Sequence, residues 1–180
     1  MLKKVILFIA VVALLIGFGL IAAVFVAPTG FAVEREIVIN KPREEVFAYA
    51  RMLKNQNEWG PWFKKEPTMK QEFRGTDGEA GFVSSWKAET QGVGEQEIMK
   101  IVENERIETQ LRFSEPFESK ANTNMTFESV GEGQTRVKWG MSGDAPRPMN
   151  VMLLFLNVNN AIGKDYDEGL ANLKQILESK

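Results

Sequence analysis

The chain begins with an apolar run of 23 residues, residues 5–27, that contains no charged or strongly polar side chain. A helix rises about 1.5 Å per residue, so this run reaches about 34 Å, which is enough to cross the hydrocarbon core of a bilayer. A secretory signal peptide usually has a shorter apolar stretch and ends in a small-x-small cleavage site. Here the nearest candidate site has Phe25 where a small residue is needed, and Pro28 follows it. The run therefore predicts a retained transmembrane helix, with residues 1–30 as a membrane anchor.

Two lysines, Lys3 and Lys4, precede the apolar run. Positively charged residues that flank a membrane helix tend to stay in the cytoplasm. Arg35, Lys41 and Arg43 on the other side reduce this charge difference. We expect a single-pass membrane protein whose N-terminus is cytoplasmic and whose domain is extracytoplasmic.

The remaining part of the chain, residues 31–180, has the size of one ordinary domain. The whole chain carries 22 Lys and Arg against 24 Asp and Glu, and two of the lysines belong to the anchor. The domain therefore has 20 basic and 24 acidic residues, a net charge of −4. Binding of nucleic acid requires clustered basic side chains that neutralise phosphates. The sequence has no such cluster, so nucleic acid is not an expected partner.

The sequence contains no histidine and no cysteine. A thiol nucleophile, a disulfide, a histidine general base and the usual zinc, copper or haem ligands are therefore excluded. This composition excludes most hydrolytic mechanisms. We expect neither a metal ion nor another cofactor.

Hydrophobic periodicity predicts an α+β domain after the anchor. Residues 31–40 alternate as a strand, and residues 43–53 repeat apolar side chains at helical spacing. The tryptophan-rich stretch 55–63 interrupts regular structure and is too aromatic for a plain loop. From Met69 onwards, six strands separated by turn signals follow. One polar and one apolar face indicate an antiparallel sheet that is covered on a single side.

A long C-terminal helix is predicted to cover this sheet. Apolar residues between Val151 and Leu177 recur at helical spacing, with polar side chains on the opposite face. Gly163 and Gly169 fall on or beside the apolar stripe, where each costs about 1 kcal/mol relative to alanine. Two explanations stay open: the helix backbone approaches the sheet closely, or the glycines leave volume for a ligand.

Four stretches of the domain carry a family resemblance: residues 33–42 with 46–47, residues 58–62, residues 104–107, and residues 162–166 with 169–174. On these residues the chain resembles the SRPBCC superfamily, which includes START lipid-binding domains and birch-pollen allergens, and within it the polyketide cyclase/dehydrase-like proteins. The resemblance implies a helix-grip fold, in which a curved seven-stranded antiparallel sheet wraps around the long C-terminal helix. It also implies an apolar cavity that takes a hydrophobic small molecule or a lipid. It implies no particular reaction, because this family has no shared catalytic motif.

Large apolar side chains are predicted on the helix-facing side of the sheet. A ligand pocket is typically apolar with a few polar groups, and Gln71, Thr109 and Thr123 are the polar residues expected there. A plain protein core has the same pattern, so both interpretations stay open. The residues predicted to contact a ligand are Trp59, Trp62, Phe73, Trp86, Phe113, Phe127, Trp139, Met141, Phe155, Ile162 and Tyr166.

Catalysis in such a cavity requires an acid or a base. Asp165 and Tyr166 form the one candidate pair on the terminal helix, and Glu58 beside Trp59 is a third candidate. A carboxylate in apolar surroundings has a raised pKa and can remove a proton in an aldol-type cyclisation or dehydration. A solvated helix residue that belongs to the packing pattern is the alternative interpretation of Asp165, and we favour it.

The apolar stretch 149–156, interrupted only by Asn150, is too short to span a membrane. It can be the buried start of the terminal helix, a lid over the cavity, or a segment that touches the bilayer, and we favour the first two. The sequence as a whole predicts a membrane-anchored domain that binds a hydrophobic small molecule or a lipid without catalysis. The alternatives are a cyclase or dehydratase and a protein–protein interaction module without a ligand.

Overall fold

A computed structural model describes residues 2–155 and 157–179, and Leu156 of the apolar stretch 149–156 lies outside the described residues. The chain divides into two compact units. The first is built from Met1–Phe31 and Asp144–Asn157, and the second from Ala32–Gly143 and Val158–Lys180. The segment Asp144–Asn157 therefore belongs to the same unit as the N-terminal residues.

The first unit contains helix α1, Leu2–Val26, and a short 3-10 helix, Met149–Leu154. The part Lys3–Val26 is long and apolar enough to cross a membrane, and its most apolar window is not buried within the protein. The predicted apolar N-terminal helix is therefore confirmed. A signal sequence near an N-terminus has the same length and composition.

The second unit is built on a seven-stranded antiparallel sheet with the order β1-β7-β6-β5-β4-β3-β2. From β2 to β7, each strand pairs with the next one along the chain. This arrangement confirms the predicted α+β helix-grip fold. The strands are β1 Gly30–Ile39, β2 Lys70–Arg74, β3 Val83–Lys87, β4 Val93–Val102, β5 Arg106–Glu115, β6 Ser119–Gly131 and β7 Gln134–Asp144.

Short helices connect β1 to β2, and one long helix ends the chain. The connection contains α2 Arg43–Ala50, the 3-10 turn Leu53–Asn55, α3 Gln56–Trp59 and α4 Pro61–Lys65. The C-terminal helix α5, Val158–Glu178, buries side chains at helical spacing, namely Tyr166, Leu170, Leu173 and Leu177.

Helix α5 has 21 residues and begins at Val158. The prediction that it starts near Val151 is therefore wrong. Residues 149–154 form the separate 3-10 helix instead, because the side chain of Asn150 donates hydrogen bonds to the backbone oxygens of Val24 and Ala27 at the end of α1. These bonds hold the segment in the first unit.

Both glycines of α5 lie where another group approaches the helix closely. A Cβ atom on Gly169 would lie 2.9 Å from Cζ3 of Trp139, which is closer than carbon atoms pack. A Cβ atom on Gly163 would overlap the guanidinium of Arg35, which donates a 3.1 Å hydrogen bond to the backbone oxygen of Asn159. Close packing, rather than volume left for a ligand, therefore explains both positions.

Candidate ligand-binding site

Four aromatic side chains from four elements meet on one face of the sheet, which we call the inner face. Trp139 of β7 stacks on Tyr166 of α5 with ring centres 3.8 Å apart and planes 6° from parallel. Trp59 of α3 and Trp62 of α4 contact Trp139 edge-to-face, at centre distances of 5.0 and 5.5 Å. Trp62 is half-buried, and the other three are fully buried. These four residues, the aromatic cluster, join three helices to the sheet.

The turn between α3 and α4 places both tryptophans of the helices. Gly60 permits this turn, since a Cβ atom there would lie 2.7 Å from the backbone oxygen of Gln56. Pro61 occupies the first position of α4, where a backbone N–H would have no partner within the helix, so the missing N–H of proline costs nothing. Asn172 of α5 donates a 3.0 Å hydrogen bond to the backbone oxygen of Trp59. The tryptophan-rich stretch therefore packs on α5, as its aromatic content predicts.

Two hydrogen-bond donors in the aromatic cluster lack partners within the described residues. The indole Nε1 of Trp59 is buried and makes no hydrogen bond. Within residues 2–155 and 157–179 the hydroxyl of Tyr166 makes no hydrogen bond either, but this oxygen is not among the fully buried polar atoms that lack a partner. A buried tryptophan usually places its indole N–H on a partner, because an unpaired buried donor such as that of Trp59 costs about 1–3 kcal/mol. An acceptor atom of a bound molecule would remove this penalty.

On strands β3 to β5 the inner face is only partly covered. The ring of Trp86 lies over Gly94, where a Cβ atom would be 2.6 Å from it. Trp86 meets Phe113 edge-to-face at a centre distance of 5.6 Å, and Leu111 and Gln96 occupy the next row of the sheet. All four side chains are half-buried. We call Trp86, Gln96, Leu111 and Phe113 the open end of the inner face.

Four polar side chains on the inner face are hydrogen bonded to one another or to a neighbouring helix. Gln96 donates to the hydroxyl of Thr109 at 3.0 Å, and the hydroxyls of Thr109 and Thr123 are 2.6 Å apart. Gln71 exchanges two amide hydrogen bonds with Asn57, at 2.7 and 3.0 Å. The three predicted polar residues therefore have protein partners. Gln96 is not among the predicted residues, although its alternation with Ile98 and Gly94 along the strand indicates the same face.

The carboxylate of Glu66 fixes the β3–β4 loop to the segment after α4. It accepts hydrogen bonds from the backbone N–H groups of Glu89 and Thr90, at 2.5 and 3.2 Å, and from the hydroxyl of Thr90. The hydroxyl bond is the main cause that holds the pKa of Glu66 below its ordinary value. Gln91 of the same loop donates to the backbone oxygen of Trp62 at 2.8 Å. The loop is thereby held beside the aromatic cluster.

The residues that line the inner face on strands β2 to β5 are uncharged. An ion placed on these residues would lose its hydration and gain no counter-charge from them, whereas at the β2 end the ammonium of Lys54 lies 4.9 Å from the ring centre of Phe73. Within residues 2–155 and 157–179, no group of three or more acidic side chains is placed to hold a metal ion. The lining of these strands includes Gln71, Phe73, Ser84, Trp86, Gly94, Gln96, Ile98, Thr109, Leu111 and Phe113.

The three acid–base candidates do not form a hydrogen-bonded pair with one another. Asp165 forms an ion pair with Lys65 of α4. Glu58 accepts a 2.7 Å hydrogen bond from the hydroxyl of Tyr49. Burial raises the pKa of Tyr166 well above its ordinary value, so this hydroxyl stays protonated at neutral pH. Catalysis by these residues stays a prediction.

The other predicted contact residues differ in exposure. Ligand contact by any of them stays a prediction. Phe155 belongs to the first unit, whereas the rest belong to the second. Buried in the core are Phe127 and Met141, half-buried is Ile162, and exposed are Phe73 and Phe155.

We expect the folded protein to show no tyrosine ionisation near pH 10. Its two tyrosines are Tyr49 and Tyr166, and burial is the largest cause that raises the pKa of both. An unfolded chain releases these protons near about pH 10 while the folded chain keeps them, so stability falls as the pH rises above this value. Tyrosinate absorbance and near-ultraviolet circular dichroism, followed together against pH, test this. An absorbance step near about pH 10 that precedes the loss of tertiary structure would contradict it.

Comparison with protein families identifies the chain over most of its length. Residues 30–178 match the profile of a family described as polyketide cyclase/dehydrase and lipid transport. No curated protein matches the chain.

Solved structures with the same fold cover more than four fifths of the chain. Norcoclaurine synthase from Thalictrum flavum, in complex with dopamine and hydroxybenzaldehyde, is 11% identical with a TM-score of 0.62, covering 86% of this chain and 91% of that one. A Mesorhizobium loti protein is 18% identical with a TM-score of 0.60, covering 83% and 98%. Ara h 8.0201 is 17% identical with a TM-score of 0.56, covering 84% and 99%. These likenesses show the fold, and the profile match shows the family: the chain belongs to the polyketide cyclase/dehydrase and lipid transport family of helix-grip proteins.

Proposed function

We propose that this chain is a membrane-anchored binding protein that holds a neutral hydrophobic small molecule or lipid on the inner face of its sheet. The observation that carries the proposal is the half-buried open end. Trp86, Leu111 and Phe113 leave apolar surface in contact with water there, although the same face is fully packed around Trp139. Covering such surface is favourable by about 25 cal/mol per Å².

The unpaired donors of the aromatic cluster suggest the polar part of the ligand. Trp59 Nε1 and the Tyr166 hydroxyl can each donate a hydrogen bond to a carbonyl or hydroxyl oxygen. The uncharged lining disfavours a charged headgroup on this face. An apolar molecule that carries one or two acceptor oxygens fits both features. The norcoclaurine synthase structure, with dopamine and hydroxybenzaldehyde, gives an example of this fold with small aromatic molecules.

We propose binding rather than catalysis. Asp165 and Glu58 are engaged with Lys65 and Tyr49, and the raised pKa of Tyr166 opposes its use as a base at neutral pH. The family description includes both enzymes and lipid transport, so it favours neither. Conversion of the bound molecule by the purified protein would replace this proposal with the cyclase or dehydratase.

Helix α1 is the proposed anchor. Its apolar side chains are exposed along its length, as a helix surrounded by lipid requires. Lys3 and Lys4 precede it and favour a cytoplasmic N-terminus and an extracytoplasmic domain. An anchored domain of this kind would take up or deliver its ligand at the membrane surface.

The test is native mass spectrometry of the full-length protein purified in detergent from membranes. We expect a bound neutral molecule on the wild-type chain, and at least about a tenfold smaller bound fraction on Leu111→Lys, because a charge on the apolar face opposes burial of the ligand. Ser114→Lys is the matched control, since it adds the same charge to the same strand on the opposite, exposed face. Equal bound fractions in the two variants, at equal melting temperatures, would place the ligand elsewhere. A wild-type chain that neither retains a molecule nor binds added neutral lipids would contradict the proposed function itself.

A further inference from the structure

The first unit exposes several large apolar side chains within one short segment. Within the segment Asp144–Asn157, four large apolar side chains are between 45% and 82% exposed. The sequence has no charged residue from Pro148 to Gly163. Scattered exposed apolar residues are ordinary, but a contiguous group of them marks an interaction surface. The four are Met149, Met152, Leu154 and Phe155.

Hydrogen bonds fix this surface to the C-terminal end of α1. The last carbonyl groups of a helix have no partners within the helix. Asn150, which is fully buried, donates to the backbone oxygens of Val24 and Ala27 at 2.8 and 3.0 Å. Arg147 donates to the same Val24 oxygen at 3.2 Å, and its guanidinium lies 5.5 Å from the ring centre of Phe25. The 3-10 helix Met149–Leu154 is therefore a cap on the end of α1.

The position of this cap along α1 sets its depth in a membrane. The apolar run ends at Ala27, so the end of α1 reaches the boundary between acyl chains and headgroups when the run fills the hydrocarbon core. Side chains bonded to that end lie at the same depth. Apolar and sulfur-containing side chains bury themselves in this boundary layer, while a neighbouring arginine extends towards lipid phosphates.

We propose that residues 147–155 form a lipid-facing collar around the end of α1, with Met149, Met152, Leu154 and Phe155 inserted into the outer boundary layer of the bilayer and Arg147 at the headgroups. This inference rests on the proposed anchoring of α1. The collar binds the lipid bilayer itself and not a second protein chain. Its Arg147 and Asn150 side chains also satisfy the backbone oxygens of Val24 and Ala27 at the depth where water becomes scarce.

Depth measurement by site-directed spin labelling tests the collar on the full-length protein. The chain has no cysteine, so each single-cysteine variant carries one label. Labels at Phe155→Cys and Met152→Cys are compared in phosphatidylcholine vesicles with two references. Leu14→Cys lies in the middle of α1, and Met99→Cys is a matched control because Met99 of β4 is 49% exposed, like Met152.

The readout is the accessibility of each label to oxygen, which concentrates in hydrocarbon, relative to a water-soluble nickel chelate. We expect the oxygen-to-nickel ratio at positions 155 and 152 to be at least about fivefold above that at position 99 and to approach that at position 14. A lipid-like ratio at position 14 with water-like ratios at 155 and 152 would overturn the collar and leave the anchor intact. A water-like ratio at position 14 would overturn the anchor and the collar together. Protection of position 155 from both reagents would also overturn the collar, because protein would then cover it.

Discussion

Replacement of Trp139 by alanine is expected to lower the free energy of unfolding by about 3–5 kcal/mol. The indole is 2% exposed and contacts the rings of Trp59, Trp62 and Tyr166, which come from three different helices. Its removal leaves a large cavity between the sheet and those helices. Rigid neighbouring rings cannot collapse into such a cavity, so both the lost contacts and the empty volume contribute.

Trp86→Ala is the matched control for this prediction. It removes the same atoms from the same face, but Trp86 is half-buried and contacts Phe113 at the open end. We expect a clearly smaller loss of stability together with weaker ligand binding. Urea unfolding of the full-length protein in detergent, followed by circular dichroism, gives both free energies. Equal losses of unfolding free energy in the two variants would mean that the aromatic cluster contributes no more to stability than the open end does.

The sheet could be predicted from the sequence because its strands have one polar and one apolar face. In β5, Ile107 and Thr109 point to the buried side while Glu108 and Gln110 stay partly exposed. Strand geometry points successive side chains to opposite faces, so the alternation of polar and apolar residues indicates which side chains face the core. Family resemblance then supplied the wrapping of a single seven-stranded sheet around the terminal helix, which periodicity alone does not contain.

The start of the terminal helix could not be predicted in the same way. The stretch 149–156 is apolar nearly throughout, so it carries no periodic contrast that could separate a buried helical turn from an exposed one. Its structure depends on Asn150, which bonds to Val24 and Ala27, more than a hundred residues away in sequence. Spacing along the chain contains no signal for such a contact.

The candidate site was predictable in its apolar part and not in its polar connections. Trp59, Trp139 and Tyr166 meet as expected, because aromatic residues on facing elements pack together. The ion pair of Asp165 with Lys65 joins residues 100 positions apart. Long-range pairs of this kind depend on the packed fold. A carboxylate that is a candidate acid or base in the sequence can therefore already be engaged in an ion pair in the structure.

Replacement of Gly169 by leucine is the second large effect that we expect. Even a Cβ atom at this position would lie 2.9 Å from Trp139 and 3.5 Å from Trp59, and both rings are fully buried. Leucine adds three further carbon atoms, which must displace the stacked rings or push α5 away from the sheet. We expect a loss of about 3 kcal/mol or more, at the upper end of the range for overpacked cores. The better helix propensity of leucine, worth about 1 kcal/mol, does not offset this.

Two variants of the same helix separate overpacking from other causes. Ala171→Leu places leucine on the exposed side of α5 and should change stability by less than about 0.5 kcal/mol. In Gly163→Ala the new methyl group meets the guanidinium of Arg35, which lies at the end of a flexible side chain and can move away. This movement breaks the hydrogen bond from Arg35 to the backbone oxygen of Asn159. The stability lost with this bond and the stability gained from the better helix propensity of alanine should nearly cancel. If Gly169→Leu instead melts like the wild type and loses ligand binding, the glycine leaves room for the ligand. Because the contact at Gly169 involves rigid rings and the contact at Gly163 a mobile guanidinium, the two glycines should respond differently although both lie on the buried side of α5.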